Sequence, residues 1–532
     1  MDTVSSQIWR NYITRVFHGP LDHLEFLGGL QLAINQLEQQ GGIFVGDNLF
    51  TYGKNMGFLG DVSFVNAFEN NIKGKSQQQY ELNQSAIWRM HVLSWAAKMC
   101  VNLEGDFVEW ACHEGTSAKI ICDYLDFNKT GKHYYLYDSF AHESVMDHPA
   151  MPEDGSSLHE QVKQLFLNYP NVHVLKGAAP GVLSTGVPEK IAFIHLDISS
   201  TTDTSALEAL FDRIVPGGLL VLNNYGNLPY RAQRQAQDVF FDKLGYRVLE
   251  LPTGQGLLVK GKELLTPISE GALHIGDAHN YVNSSFYATA NPSEFFKGLQ
   301  KSISALEPVG IYSGDNLFAI QKTLGFLDDV PFMNAFEKST GNDDSAIQEV
   351  DRSLIWRNHV LAWAAYSCSQ LEGDFVECAC YKGVSAKVVC DYLDINKTGK
   401  HYYLYDLFEH EQGMDHHAMP EHGSSLYEQV KQKFVEHPNV HVIRGSVPEI
   451  LHTEAPEKIA FMHLDINSAA AEIGALELLF DRIVPGGILV LDDYGWLAYR
   501  DQKEAEDVFF AERGYRVLEL PTGQGLLVKF PG

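Results

Sequence analysis

The chain has no run of roughly 18–20 uninterrupted apolar residues, so nothing in it reads as a membrane span. Its first residues, MDTVSSQIWRNYITRVF, lack the apolar core and small-residue cleavage site of a signal peptide, and a cytoplasmic protein is the expectation. Cysteine is scarce: seven among 532 residues, an odd number, mostly inside apolar segments, which reads as reduced, buried thiols and not a disulfide framework. Cys378 and Cys380 lie one residue apart in a strand-like segment, where alternation puts both on one face, and no second pair completes a zinc set. Positive charge is also short. Lys and Arg number 40 against 68 Asp and Glu, a net charge of −28. Nucleic-acid affinity comes mainly from cations that displace counterions, so neither a nucleic acid nor an anionic membrane is an expected partner.

What is abundant is self-similarity. GYRVLELPTGQGLLVK occurs at 245–260 and again, letter for letter, at 514–529; HYYLYD recurs at 133–138 and 401–406, FDRIVPGG at 211–218 and 480–487, and GDNLF at 46–50 and 314–318. The offset is 268 up to Asp197 and Asp465 and 269 beyond, so one residue was gained in the segment SAAAEIG. A repeat this long is a whole domain in tandem, not a solenoid unit. The expected organisation is an unrepeated leader (1–20), a first domain (21–260), a linker (261–290) and a second domain (291–532).

Within each copy, short apolar strands alternate with amphipathic segments, the pattern of a parallel sheet covered by helices. In the second copy the preamble 353–371 reads as a helix. Strands follow at 374–380, 401–406, 440–444, 459–465 and 487–493, with helices at 384–393, 424–437, 446–452, 469–482 and 499–512. The last two strands, 515–520 and 525–529, are separated only by PTGQ, too short a link for a crossover, so they pair as an antiparallel hairpin. The predicted fold class is α/β: two tandem class I methyltransferase (Rossmann-like) domains, each a mostly parallel seven-stranded sheet with a C-terminal antiparallel hairpin. An ordinary dinucleotide-binding domain lacks that ending, and Gly-x-Gly-x-x-Gly is missing, which disfavours a dehydrogenase.

Ligands of such sheets bind beyond the carboxyl ends of the strands. Acidic residues sit there: Glu377 late in the first strand, Asp406 ending the second, Asp465 the fourth, Asp492 and Asp493 the fifth. In a nucleoside-plus-metal site Glu377 would lie near a methionine amino group, Asp406 would accept from ribose hydroxyls, and the other three would form a hard-oxygen cluster. Each alone reads equally well as a helix cap or solvated tip. Gly383 opens the helix after the first strand. The expected first glycine of that loop is Ala379 here and Ala111 in the other copy, which permits close approach but not positive φ.

EGDFVECACYKGVSAK, YLYDLF, HLDIN, VPGGILVLDDYG, YR and TGQG, in this order and spacing, resemble the macrocin O-methyltransferase family, over roughly 314–529 and, more weakly, 46–260. The resemblance implies S-adenosylmethionine and Mg²⁺ as cofactors and a hydroxyl of a sugar or glycosylated small molecule as acceptor. It implies that Asp465, Asp492 and Asp493 bind Mg²⁺ and serve catalysis, and that Glu377, Ala379, Gly383, Ser385, Asp406, Gly445 and Ser446 form the cofactor set, with Arg500 near the site mouth. The family commonly has a second aspartate two positions after the first; here that position is Asn467. Mg²⁺ prefers carboxylate and water oxygens, and a hydroxyl bound to it is acidified and oriented for attack on a methyl sulfonium.

The general base is left open. His416 is the candidate, within His410, Glu411, Asp415, His416 and His417, echoed by His142, Glu143, Asp147 and His148; the same residues read as a polar lid, or less readily as a zinc site. His463 and His195 read as satisfied core histidines. Trp356, Arg357 and His359, with Trp88, Arg89 and His91, read as a helix packing face, Arg357 also being able to reach the cofactor carboxylate.

The copies differ at the proposed metal: Asp492-Asp493 corresponds to Asn223-Asn224, Asn467 to Ser199, and Tyr381-Lys382 to His113-Glu114. The N-terminal copy keeps Glu109, Gly115, Ser117 and Asp138 but only Asp197 of the metal carboxylates. It reads as a pseudo-enzyme partner in an intrachain pseudo-dimer, with a metal-free activity through His113 or His148 as a sharper alternative and further homo-oligomerisation left open. The rival from another class is a ligand-binding scaffold in which neither copy turns over.

Overall fold

The computed structural model describes residues 11–38, 41–74, 76–140, 157–177, 181–182, 186–197, 204–261, 279–341, 346–408 and 425–530. Each half holds a seven-stranded sheet. In the C-terminal half its order across the sheet is Val440–Arg444, Tyr402–Asp406, Asp374–Cys378, Ile459–Leu464, Ile483–Leu491, Gly525–Val528, Leu518–Glu519. The first five are parallel and the last two antiparallel. The N-terminal half repeats this order. Both are Rossmann-like sheets with the methyltransferase ending. Strands such as Ile459–Leu464 are buried along their whole length, as expected for a parallel sheet covered on both faces. Among the described residues no helix is long and apolar enough to cross a membrane.

The chain-order reversal falls between Asp374–Cys378 and Ile459–Leu464, and the acidic residues of the fifth strand follow directly after Leu491. The helical preamble is Ile355–Ser367, preceded by Ala346–Ser353. Cys378 and Cys380 do not share a face: they pack in core clusters on opposite sides of the sheet, because Ala379 at φ +64 ends the alternation between them.

A third sheet, not foreseen, joins the halves. Its order is Asn11–Ile13, Ile43–Gly46, Leu49–Thr51, Leu317–Ala319, Tyr312–Gly314, Tyr281–Val282. The central pair is antiparallel with Phe50 opposite Phe318, so the pseudo-twofold axis passes there. The outer strands correct the expectation of an unrepeated leader and linker: Asn11–Ile13 pairs with Ile43–Gly46 as Tyr281–Val282 pairs with Tyr312–Gly314. They are counterparts, NYI and NYV, too short to stand out in a sequence comparison.

Helices His23–Ile34 and Pro292–Ser304 cross at their glycines. A Cβ on Gly29 would lie 2.5 Å from the Ser302 nitrogen and one on Gly298 2.5 Å from the Ala33 nitrogen, so only glycine permits the approach. Tryptophans from the preambles close the rest of the interface: Trp88 donates to the Glu519 carbonyl (3.1 Å) and Trp356 to the Glu250 carbonyl (3.0 Å). The packing-face reading of these helices holds, and the face belongs to the other half.

Candidate active site

The floor of the C-terminal site is a buried polar core. Glu377 accepts from Ser385 Oγ and the Tyr402 hydroxyl, each at 2.6 Å, and its Oε2 lies 3.4 Å from His463 Nδ1. Glu377 and Ser385, expected to touch the cofactor, are thus bonded to each other, fixing the helix that starts after Gly383. Asp406 accepts from the backbone N–H of Tyr381 and of Phe408, both at 2.7 Å, and thereby ties the end of its strand to the cofactor loop. In that loop Ala379, Tyr381 and Gly383 all have positive φ (+64, +47 and +66). This corrects the expectation that alanine there avoids the left-handed region; Ala111 does the same at +61. Strained backbone of this kind persists where surrounding bonds over-determine it. Gly445 donates to the Asp406 carbonyl (3.0 Å), which brings it beside Asp406, and Ser446 bonds Glu449 on the exposed side.

Above this floor lies a cluster of charges. Arg357 donates to the carboxylates of Asp492 and Asp493 (2.8 Å to the latter) and to the Asp492 carbonyl (2.9 Å), and its Nη1 stands 3.8 Å from Asp315. Gln524, the glutamine of TGQG, donates to Asp492 Oδ1 at 3.0 Å, with His463 Nε2 3.4 Å from the same oxygen. Burial raises a carboxyl's proton affinity; at Asp492, Arg357 and His463 overcome it and hold the group well below the ordinary range. At Asp493 burial prevails and the shift is upward. Asp465 is pushed well up by burial, then by Asp492 and Asp493. His463 is held protonated well above its usual range, burial notwithstanding, by Glu377 and Asp492.

Two participants had no role assigned from sequence. Asp315, lifted to about 6 by burial, comes from the repeated GDNLF. Lys54 comes from the other half, where burial draws it down to about 7 against the pull of Asp315. The repeated GDNLF marks a two-residue hairpin turn, with Asp315 and Asn316 both at positive φ, and that turn logic accounts for its aspartate without pointing to the site; nothing in the order of residues tells that Lys54 faces the opposite half.

Do these residues fit Mg²⁺? Both carboxylate oxygens of Asp492 are already engaged by Arg357, Gln524 and His463, and Asp493 is held by the same guanidinium. Among the described residues no group of three or more His, Cys, Asp or Glu is arranged to hold a metal. As arranged, the donor set does not fit one. Arg357 is also not free for a cofactor carboxylate. His416 and its neighbours 410–417, like 142–148, lie outside the described residues. Arg500 is exposed and pairs with Glu504 along its helix.

The N-terminal site has the same frame. Glu109 accepts from Tyr134 (2.7 Å) and Ser117 and faces His195, and Asp138 accepts from His113 N–H (2.9 Å). Arg89 donates to the Asn223 carbonyl (2.6 Å) and Asn224 Oδ1 (2.9 Å), and Asn224 donates to Asp197 (3.0 Å). Carboxylates and basic groups are then equal in number: Glu109, Asp197 and Asp47 against Arg89, His195 and Lys322. In the C-terminal site five carboxylates, Glu377, Asp465, Asp492, Asp493 and Asp315, meet the equivalent three basic groups, Arg357, His463 and Lys54.

Residues 86–243 match the family model for macrocin-O-methyltransferase, and 376–494 match one for a methyltransferase domain. The macrocin match thus falls on the half whose motifs resemble that family more weakly. No curated protein matches the chain. Similar solved structures include the O-methyltransferase NovP (17% identity over 33% of this chain and 80% of that one, TM-score 0.27). Another is CalS11, a TDP-rhamnose 3′-O-methyltransferase of calicheamicin biosynthesis (10%, 38% and 94%, 0.27). A third is the S-adenosylhomocysteine-bound methyltransferase PaMTH1 of Podospora anserina (13%, 38% and 88%, 0.28).

Proposed function

From the premise that the chain is an S-adenosylmethionine-dependent O-methyltransferase, we propose that its C-terminal half transfers the methyl group to a hydroxyl of a sugar or other polyol-bearing small molecule. The N-terminal half is a pseudo-enzyme partner. The observation that carries this reading is the charge difference between two otherwise equivalent sites. A methyl sulfonium is cationic, and a buried site with two carboxylates in excess of its basic groups attracts it, whereas a balanced site does not.

The chain's own residues then have separable tasks. Asp406 and the loop 379–383 hold the nucleoside, with Gly445 beside Asp406 and Ser446 at the rim. The bonded set Glu377, Ser385 and Tyr402, with His463 3.4 Å from the glutamate, keeps that loop rigid. Methyl transfer needs an aligned acceptor oxygen and little covalent help: the oxygen lone pair attacks the methyl carbon, the carbon–sulfur bond breaks, and the sulfonium becomes a neutral thioether. The hydroxyl proton needs a base. Asp465, whose proton affinity is raised by burial and by Asp492 and Asp493, is the described group best matched to receive it. Mg²⁺ dependence, which the resemblance implies, supplies no step here, since the oxygens of Asp492 are already engaged.

The test is calorimetric titration of S-adenosylhomocysteine into the full chain, paired with methyl transfer from labelled S-adenosylmethionine to hydroxylated acceptors, TDP-rhamnose among them. Binding should be lost in Asp406→Ala and persist in Asp138→Ala. Absence of binding to the wild-type chain, or its loss only in the Asp138 variant, would overturn the assignment.

A further inference from the structure

The segment 53–55 of the N-terminal half runs beside 495–497 of the C-terminal half, directly behind the paired aspartates. Asn55 N–H donates to the Gly495 carbonyl (2.6 Å) and Leu497 N–H to the Gly53 carbonyl (2.8 Å). This brings Lys54 into the foreign site. Its side chain is 1% exposed, its Nζ sits 3.3 Å above the centre of the Trp496 ring, and it donates to the carbonyls of Thr522 (3.1 Å) and Asp315 (3.4 Å). Asp315 in turn stands 4.0 Å from that amine through its carboxylate and 3.8 Å from Arg357. The chain of contacts runs Lys54, Asp315, Arg357, Asp492 and Asp493, and crosses from one half to the other.

The exchange is reciprocal. Lys322 of the C-terminal half enters the N-terminal site and meets Asn227 at 3.1 Å, where Leu228 N–H donates to the Gln321 carbonyl (2.8 Å) and Thr323 N–H to the Gly226 carbonyl (2.9 Å). There it has an asparagine where Lys54 has an indole ring, and the arginine it supports clamps two asparagines.

We propose that the cation of the C-terminal site is built in and shared between the halves: Arg357 takes the position that the resemblance gives to a metal, and Lys54 of the N-terminal half is the residue that positions it, through Asp315. A guanidinium is always charged and its planar fork suits two carboxylates at once, so it neutralises Asp492 and Asp493 at no dehydration cost to a divalent ion. An arginine so used must be kept from swinging toward Asp315, the third carboxylate in its reach. Lys54 does this from behind Asp315, its Nζ 4.0 Å from that carboxylate. The N-terminal half is therefore part of the site and more than a scaffold for it. This inference rests on reading the cluster as the transfer site, yet its test reads metal uptake and not turnover.

The probe is Mn²⁺ alone, titrated into the full-length chain and followed by electron paramagnetic resonance, in wild type, Arg357→Met, Lys54→Met and Lys322→Met. Wild type and Lys322→Met should leave the free-ion signal unchanged. Arg357→Met should take up one ion per chain, and Lys54→Met should lower the free-ion signal over a concentration range in which wild type does not, because Arg357 then divides itself between Asp315 and the paired aspartates. Stoichiometric uptake by the wild type would overturn the built-in cation. A Lys54→Met titration indistinguishable from Lys322→Met would overturn the positioning role. These two comparisons decide the matter even if Arg357→Met fails to fold, which circular dichroism reads. Calorimetry with S-adenosylhomocysteine on the same samples keeps the readings apart: failure of the wild type to bind it sinks the proposed function and leaves the metal result standing.

Discussion

In the N-terminal site Arg89 bonds a carbonyl and a neutral side chain; in the C-terminal site Arg357, at the equivalent place on an equivalent helix, bonds two carboxylates. The frames beneath them match residue for residue: Glu109 with Tyr134 and Ser117, Glu377 with Tyr402 and Ser385. Retaining the frame while losing the charge separates what a domain needs to fold from what a site needs to act. The bonded glutamate and its partners satisfy buried polar groups in both halves, as any core must. The excess carboxylates of the C-terminal half do the opposite, since each buried charge without a partner costs stability.

The sharpest way to break this comparison is to erase it. Asp492→Asn combined with Asp493→Asn should turn the C-terminal site into a copy of the N-terminal one and lower methyl transfer by at least about a hundredfold, the scale of losing electrostatic stabilisation at the reacting centre. Retained activity in labelled-cofactor assays would place catalysis elsewhere.

A second contrast lies at the hairpins. Glu250 is bonded by Arg234 (2.8 Å), Thr323 (2.8 Å) and Gly325 N–H (2.9 Å), whereas Glu519 accepts from Phe58 N–H at 3.3 Å and among the described residues nothing bonds its Oε1. Burial lifts Glu519 from the ordinary 4.5 to about 7. The folded state therefore keeps a proton that the unfolded chain has released, so this contribution is full below about pH 4.5 and lost as pH rises through 7. Glu519→Gln should remove that loss, gaining roughly 2–3 kcal/mol over wild type at pH 8 and little at pH 4.5 in urea unfolding. Glu250→Gln should destabilise at both, because it takes the closer of two carboxylates from the buried Arg234 and leaves it Asp238 alone at 3.3 Å.

Tyr402→Phe and Tyr134→Phe should each cost about 1–3 kcal/mol, the penalty of stripping a bond from a buried carboxylate, and should cost the same in both halves. Unequal losses in thermal unfolding would show that the frames are not equivalent. The smallest effect is expected at the strained loop: Ala379→Gly and Ala111→Gly should each shift stability by less than about 1 kcal/mol, relief of positive φ being offset by glycine's greater freedom when unfolded.

The carboxylates at the strand ends were legible because alternation of strand and helix fixes where strands stop, and a parallel sheet puts those stops on one edge. The hairpin was legible because PTGQ is too short to cross a sheet. The bond between Glu377 and Ser385 was not legible, because it pairs a strand with the next helix and spacing does not report it. Arg357 was read for its helix and not for its target, since the residues it clamps lie 135 and 136 positions away. The strands at 11–13 and 281–282 were missed because strands of two or three residues carry no periodicity of their own.

By itself the sequence determined the duplication, the sheet of each copy and the loss of two carboxylates from one of them, because these are matters of local pattern and of comparing a chain with itself. Only the tertiary structure decided what surrounds those carboxylates. Packing two copies about the Phe50–Phe318 pair carries Lys54 into one site and Lys322 into the other, and which charges meet in a buried site depends on that docking, an outcome of distances across the interface that no order of residues along the chain specifies.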